Sequence, residues 1–160
     1  SGLLNKNTTK NFIKGYIANH KNEHHALMLI EIFNFDMIYE KHGEIVGDEV
    51  LIKISNILQQ LFRSTDIIGR ISYNKFEVFI KDCTNELVIR KATEICTELS
   101  NIKVDSYSKI VVEGGIGISL YPQDAQNYET LKQNADIALF LAQREGLNKF
   151  IFFEKPIEPK

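Results

Sequence analysis

Residues 26–33 read ALMLIEIF, an apolar run of strand length in which only Glu31 is charged. Polar residues bound the run, with His24 and His25 before it and Asn34 after it. A strand that is apolar on both faces is typical of the interior of a sheet that helices cover on both sides. We therefore predict that residues 26–33 form a central strand, and we expect the rest of the fold to be built around it.

A second pair of strand-like runs, residues 66–72 and 75–81, is separated only by Tyr73 and Asn74. This spacing predicts a β-hairpin with a two-residue turn. Tyrosine is an unusual choice in such a turn, because the favoured types of two-residue turn need residues with a positive φ.

Apolar residues recurring every three or four positions predict the helices. We predict helices over the first twenty residues, over 34–42 ending at Gly43, from Gly47 and Asp48 onward, over 86–100 and over 128–145. Two more strands are predicted over residues 109–120 and 149–153. The order α, β, α, α, β-hairpin, α, β, α, β predicts an α/β (α+β) fold, with a central mixed sheet flanked by helices.

The composition is that of one soluble globular domain, with 44% hydrophobic and 25% charged residues in 160. A net charge of −2 without a basic stripe argues against nucleic acid as a partner. Cys83 and Cys96 form no C-x-x-C pair, which fits a reducing cytoplasm. The longest apolar run is too short to span a bilayer. We predict a cytoplasmic domain, whose parent protein could still be membrane-anchored.

Short motifs follow one another in an informative order: GLLNK at 2–6, EIFNF at 31–35, GEIVGD at 43–48, and AD at 135–136 followed by GLN at 146–148. In order and spacing they resemble G-L-x-N-R, D-x-D-x-F, G-H-x-x-G-D and A-D…G-R-N of the GGDEF domain of diguanylate cyclases. The resemblance covers nearly the whole chain and implies a nucleotide-cyclase palm-like fold over residues 1–153. Residues 154–160 would then be an exit linker, and we expect the chain to be part of a longer bacterial signalling protein.

In active members of this family, two GTP-loaded domains meet head to head and join their nucleotides into cyclic di-GMP. Such phosphoryl transfer depends on Mg²⁺ and on the positioning of phosphates. The resemblance places the two metal carboxylates at Glu31, which is one methylene longer than aspartate, and at Asn74, a neutral amide and a poor ligand for a hard cation. The guanine partner Asp48 is kept. The alternatives are a solvent-facing acid for Glu31 and a carboxylate that complements a helix dipole for Asp48.

The signature turn of the family reads SYNKF at residues 72–76, so only its phenylalanine remains. The two glycines of the family let a nucleotide approach bare backbone, whereas Ser72 and Tyr73 place side chains there. At four further positions where the family contacts the nucleotide, this chain has an acidic or uncharged residue instead. These residues are Asp36, Tyr39, Gln143 and Leu147. The resemblance therefore implies a remnant site of Glu31, Asp48 and Asn74 without catalysis. We expect no resident metal or cofactor, and Mg²⁺ only with residual GTP binding.

A separate ligand site is implied by Arg63-Ser64-Thr65-Asp66, which matches the R-x-x-D motif where active members bind their product. The accessory arginine of the family matches Arg90, while a second one is replaced by Glu94. Arg63 could fork two hydrogen bonds to guanine or phosphate, and Asp66 could accept from guanine N–H groups. The structural alternative is that Arg63 caps a helix and Asp66 pairs with it on the surface.

Two functional hypotheses follow, and both exclude an active enzyme. In the first, the domain binds cyclic di-GMP through Arg63, Asp66 and Arg90 and regulates its neighbour, for which an EAL phosphodiesterase domain is the family's common choice. In the second, it binds no nucleotide and serves as a scaffold for that neighbour or for a homodimer. A residual cyclase that uses Glu31 is the least favoured interpretation.

Overall fold

The computed structural model describes residues 2–104 and 110–155. The helices are α1 Lys6–Asn19, α2 Phe35–His42, α3 Glu44–Leu61, α4 Asn85–Ser100 and α5 Tyr128–Glu145. The strands are β1 His25–Ile32, β2 Ile67–Ser72, β3 Lys75–Ile80, β4 Gly114–Tyr121 and β5 Lys149–Phe152. This order of elements confirms the predicted one. None of the helices in the described segments is long and apolar enough to cross a membrane.

The five strands form one mixed sheet in the order β2-β3-β1-β4-β5. Strand β1 lies in the centre and is antiparallel to both β3 and β4, whereas β4 and β5 are parallel. The predicted central strand and the predicted mixed sheet are therefore confirmed.

Alternate residues of β1 face two separate parts of the core. Ala26, Met28 and Ile30 pack in one cluster with apolar residues of α2, α3 and α4. Leu27 and Leu29 pack in the other with residues of α1 and α5. Both faces of β1 are thus covered, which explains why its sequence does not alternate between apolar and polar.

The start of α3 was predicted wrongly. The helix begins at Glu44 rather than at Gly47, because Gly43 adopts a φ of 90° and turns the chain directly from α2 into α3. Gly47 lies inside the helix, where a Cβ would come within 2.5 Å of the Tyr39 ring. The first-turn acid that complements the helix dipole is Glu44, while Asp48 lies one turn further on.

The start of β4 was also predicted too early, at residue 109 rather than at Gly114. Residues 105–109 lie outside the described part of the chain. The backbone just before Gly114 bonds largely to side chains, although the Glu113 carbonyl accepts from the Phe33 N–H at 2.8 Å. Asn34 Nδ2 donates to the Val111 carbonyl at 2.7 Å, and Asn34 Oδ1 accepts from the Glu113 N–H at 2.9 Å. Asn148 Nδ2 likewise donates to the Val112 carbonyl at 3.0 Å, so two amide side chains take hydrogen bonds that a strand partner would otherwise make.

The hairpin is confirmed, with Tyr73 and Asn74 at its tip between β2 and β3. Neither residue has a positive φ. The pairing instead shifts register between Arg70 and Ser72, a β-bulge that adds twist close to the tip. The bulge explains how tyrosine fits this turn without backbone strain.

A carboxylate lies in the core on the α5 side of the sheet. Glu77 of β3 is fully buried, and the Tyr128 hydroxyl lies 2.8 Å and 3.0 Å from its two carboxylate oxygens. Burial raises the pKa of Glu77 above its ordinary value, and this outweighs the opposite effect of the Tyr128 hydrogen bond.

Glu77 should make stability depend on pH in a defined direction. The unfolded chain loses this proton near the ordinary pKa of 4.5, while the folded chain keeps it to higher pH. The associated stability is therefore complete below pH 4.5 and is lost as the pH rises through the folded pKa. We expect the free energy of unfolding of the unmodified chain to fall over this interval relative to Glu77→Gln, which cannot titrate.

Urea unfolding at a series of pH values measures this difference. Glu145→Gln, at an exposed position on α5, is the matched control and should run parallel to the unmodified chain. Parallel curves for Glu77→Gln as well would show that the pKa of Glu77 is the same in the folded and the unfolded chain, and would contradict this prediction.

Candidate functional site

A cleft of about 330 Å³ opens beside the hairpin tip. Residues of α2 and α3 and of the hairpin line it: Phe35, Asp36, Tyr39, Glu40, Asp48, Leu51, Arg70 and Tyr73. Three of the positions that the resemblance assigned to nucleotide contacts, Asp36, Tyr39 and Asp48, therefore do come together. Gln143 and Leu147 are not among the lining residues, and Leu147 lies in a separate pocket beside α4.

The side chain of Asn74 ties the hairpin tip to the end of β1. Its Nδ2 donates to the Ile32 carbonyl at 2.9 Å, and its backbone carbonyl accepts from the Ile32 N–H at 2.9 Å. Its Oδ1 accepts a hydrogen bond from the Ser72 hydroxyl at 3.2 Å. The amide is thus used as a donor toward the backbone, which an aspartate at this position could not do.

Tyr73 extends from the hairpin tip over the start of α2. Its ring centroid lies 5.9 Å from that of Phe35, and its hydroxyl is 3.4 Å from Asp36 Oδ2. The Asp36 carboxylate is the main reason why the pKa of Tyr73 is raised. The space that the family's glycines would leave open is therefore occupied by a side chain beside an anion.

Tyr39 of α2 lines the cleft and faces α3. Its ring packs on Gly47, where no side chain could fit, and lies with its centroid 5.3 Å from that of Phe35. Its hydroxyl is 3.4 Å from Asp48 Oδ1, at the long end of hydrogen-bond distances. The retained acid Asp48 is exposed, and its carboxylate is contacted by the Tyr39 hydroxyl.

Glu31 lies half-buried near the end of β1, directly opposite Lys75 of β3 and Gly115 of β4. The Lys75 Nζ is 2.6 Å from Asp136 Oδ1 of α5. This ion pair was not predicted. The change from acid to lysine at the fourth position of the signature turn was a signal that an anion lay nearby.

The charges around the cleft are mostly negative. Asp36, Glu40 and Asp48 line it, and the only basic residue among its lining side chains is Arg70. The Arg70 guanidinium donates to the backbone carbonyls of Ser72 at 3.2 Å and of Tyr73 at 2.8 Å, so it holds the turn. Within the described residues no three His, Cys, Asp or Glu side chains are grouped so that they could hold a metal ion.

Arg63 and Asp66 contact each other, as the structural alternative predicted, but the C-cap residue of α3 is Phe62 rather than Arg63. Arg63 Nη2 lies 3.0 Å from Asp66 Oδ1, and Arg63 Nε lies 3.2 Å from Asp66 Oδ2. The backbone N–H of Lys81 also donates to Asp66 at 3.1 Å, and Arg63 Nη2 donates to the Lys81 carbonyl. The Asp66 side chain is only 2% exposed, against 51% for Arg63, so the pair is not a simple surface ion pair.

A cavity of about 620 Å³ adjoins this pair and is lined by Arg63, Asp66 and Lys81 together with residues of the N-terminal segment. Arg90 of α4 is not one of its lining residues, and its Nε lies 3.9 Å from Glu94 Oε1. The structure therefore brings Arg63 and Asp66 together and leaves Arg90 beside Glu94, which Lys91 also contacts at 3.8 Å.

Comparison with known proteins agrees with this fold. The chain is 27% identical over 129 residues to the bifunctional diguanylate cyclase/cyclic di-GMP phosphodiesterase MucR of Pseudomonas aeruginosa, which covers 81% of the chain and 19% of MucR. The chain thus spans about a fifth of that relative's length.

Two solved structures show the same fold. The GGDEF domain of TpbB from Pseudomonas aeruginosa superposes with a TM-score of 0.87 at 25% identity, covering 95% of this chain and 91% of that one. The GGDEF domain of DgcB from Caulobacter crescentus, solved in complex with cyclic di-GMP, gives 0.86 at 18% identity, covering 97% and 94%. At that identity the likeness to DgcB concerns the fold alone.

Residues 1–149 match the family described as diguanylate cyclase, GGDEF domain. The boundary at residue 153 and the exit linker stay predictions, and residues 156–160 lie outside the described part of the chain. The match covers α1 to α5 and the first residue of β5, and together with the mixed sheet it confirms the resemblance: the chain belongs to the GGDEF family of diguanylate cyclase domains.

Proposed function

We propose that this GGDEF domain has lost diguanylate cyclase activity and acts in cyclic di-GMP signalling as a regulatory domain. The observation that supports this most is the hydrogen bond from Asn74 Nδ2 to the Ile32 carbonyl at 2.9 Å. It places an amide donor where the resemblance implies a metal-binding carboxylate. Glu31 is then the one remaining acid of the implied pair, and this donor set does not fit Mg²⁺, which needs oxygen ligands in octahedral geometry.

The electrostatics of the cleft support the same proposal. A triphosphate would meet Asp36, Glu40 and Asp48, with Arg70 as the one basic side chain among the lining residues. Phosphoryl transfer needs cations that neutralise the charge developing on the phosphates. The acidic side chains of the cleft would instead repel the phosphates.

We expect the purified chain, incubated with GTP and Mg²⁺ or Mn²⁺, to form no cyclic di-GMP above background, even at high protein concentration. Loss of a single electrostatic contact of this kind typically lowers a rate on the order of a hundredfold, and several are altered here. Chromatographic detection of the product, with an active diguanylate cyclase domain as positive control, tests this. Turnover that disappears in Glu31→Ala but persists in Glu145→Ala would contradict the proposal.

Cyclic di-GMP binding next to Arg63 is a second candidate function. The specific observation that favours it is the cavity of about 620 Å³ that Arg63 and Lys81 line, a size within the range of ligand pockets. Since Asp66 is buried and bound by Arg63 and by Lys81 N–H, a ligand would be held mainly by the exposed part of the Arg63 guanidinium. Arg90 would contribute only after leaving Glu94.

If this site is used, cyclic di-GMP should bind with a Kd of about 1 μM or lower. Arg63→Ala should weaken binding about ten- to a hundredfold, because it removes a charge-assisted hydrogen-bond donor. Glu94→Arg should strengthen binding, because it frees Arg90 and removes an anion. Calorimetric titration measures both effects.

Arg144→Ala, which removes an exposed arginine of α5, is the matched control and should bind like the unmodified chain. Melting temperatures of all variants report separately whether the loss of Arg63 destabilises Asp66. The absence of heat and of any melting-temperature shift at ligand concentrations far above the expected Kd would end this candidate. The remaining hypothesis would then be a scaffold for a neighbouring domain or for a homodimer.

A further inference from the structure

The cleft beside the hairpin tip has aromatic walls. The rings of Tyr39 and Tyr73 both neighbour that of Phe35, with centroid distances of 5.3 Å and 5.9 Å. Tyr73 is 52% exposed, which is unusual for a large side chain that lies against another ring. Exposed aromatic faces that line a concave surface are typical of a binding site rather than of packing.

In the described part of the chain, no ion pair is observed for the acidic side chains of the same cleft. Asp36 and Asp48 each contact a tyrosine hydroxyl at 3.4 Å. None of the Lys or Arg ion pairs observed among the described residues involves Asp36, Glu40 or Asp48. The Arg70 guanidinium is engaged by the carbonyls of Ser72 and Tyr73. The cleft therefore keeps acceptors and negative charge available.

These features select one chemical class of ligand. Phosphate groups would be repelled, and no group of metal-ligating side chains is present among the described residues. A cation with a flat, weakly hydrated surface is attracted by ring faces, and a guanidinium can also fork two N–H donors to a carboxylate. The volume of about 330 Å³ suits a small ligand.

We propose that the cleft formed by Phe35, Tyr39, Tyr73, Asp36 and Asp48 binds an organic cation of the guanidinium class, either a small molecule or the arginine side chain of a polypeptide. This inference rests on the proposed function in one respect, namely that the cleft does not hold GTP. The altered residues would then have changed the ligand of the old nucleotide cleft from an anion to a cation.

Amide chemical shifts of the ¹⁵N-labelled chain, titrated with methylguanidinium chloride, test the proposal. We expect saturable shifts around the cleft with a Kd of about 1 mM, as for a small ligand with few contacts. Urea, a neutral molecule of nearly the same shape, should cause no saturable shifts at the same concentrations. Asp36→Asn should weaken binding about fivefold, as expected for the loss of one partly exposed ion pair.

Tyr73→Ala should weaken binding similarly, while the control Glu145→Gln should leave it unchanged. Free arginine amide and a Gly-Arg-Gly peptide, each compared with its lysine counterpart, distinguish a small-molecule source from a polypeptide source. Equal responses to methylguanidinium and urea, or none to either, would overturn the inference. A separate titration with GTP and Mg²⁺ keeps the two proposals apart, because GTP binding in the cleft would contradict the proposed function itself.

Discussion

The double pairing of β1 is the constraint on which the rest of the structure depends. Every residue of this strand pairs with β4, and residues Ala26 to Glu31 also pair with β3. Glu31 pairs with Lys75, the first residue of β3. The backbone groups of Ile32 on that side therefore need a partner outside the strand. Asn74 supplies it, with its backbone carbonyl for the Ile32 N–H and its side-chain amide for the Ile32 carbonyl. A buried backbone group without a partner would be costly, so this amide completes the sheet.

The same hydrogen bond joins fold and function. In the catalytic arrangement that the family implies, position 74 contributes a carboxylate to a cation, whereas here it contributes N–H to a carbonyl. The neighbouring residues of the hairpin also contact other parts of the chain: Lys75 forms an ion pair with Asp136 of α5, and Tyr73 lies over α2 beside Asp36. The end of β1 has thus become a region held by hydrogen bonds and ring packing, next to an acidic and aromatic cleft.

The features that the sequence predicted well are those with local, repeated signals. The apolar run of β1, the hairpin spacing and the helical stripes each predict one element without knowledge of the others. The start of α3 was missed because its position depends on the φ of Gly43, and Gly47 inside the helix serves the packing of Tyr39. The start of β4 was missed because a distant side chain, Asn34, bonds to its approach.

The sequence predicted part of the lining of the cleft but not the contacts within it, and Glu31, Asn74, Gln143 and Leu147 are not among the lining residues. Motif positions identified Asp36, Tyr39 and Asp48, which do line one cleft. Which partner each side chain takes depends on packing between segments that are far apart in sequence, as for Lys75 with Asp136 or Asp66 with the Lys81 N–H.

The most direct measurement of the central claim is paramagnetic broadening of amide resonances by Mn²⁺ in the presence of GTP. Mn²⁺ takes the oxygen ligands that Mg²⁺ does and broadens the signals of nearby nuclei. The account predicts that the amides of Glu31, Ile32 and Asn74 broaden no more than those of surface residues far from the hairpin tip. Selective broadening of these three, dependent on GTP, would show that the site still holds a metal–nucleotide complex and would contradict the account.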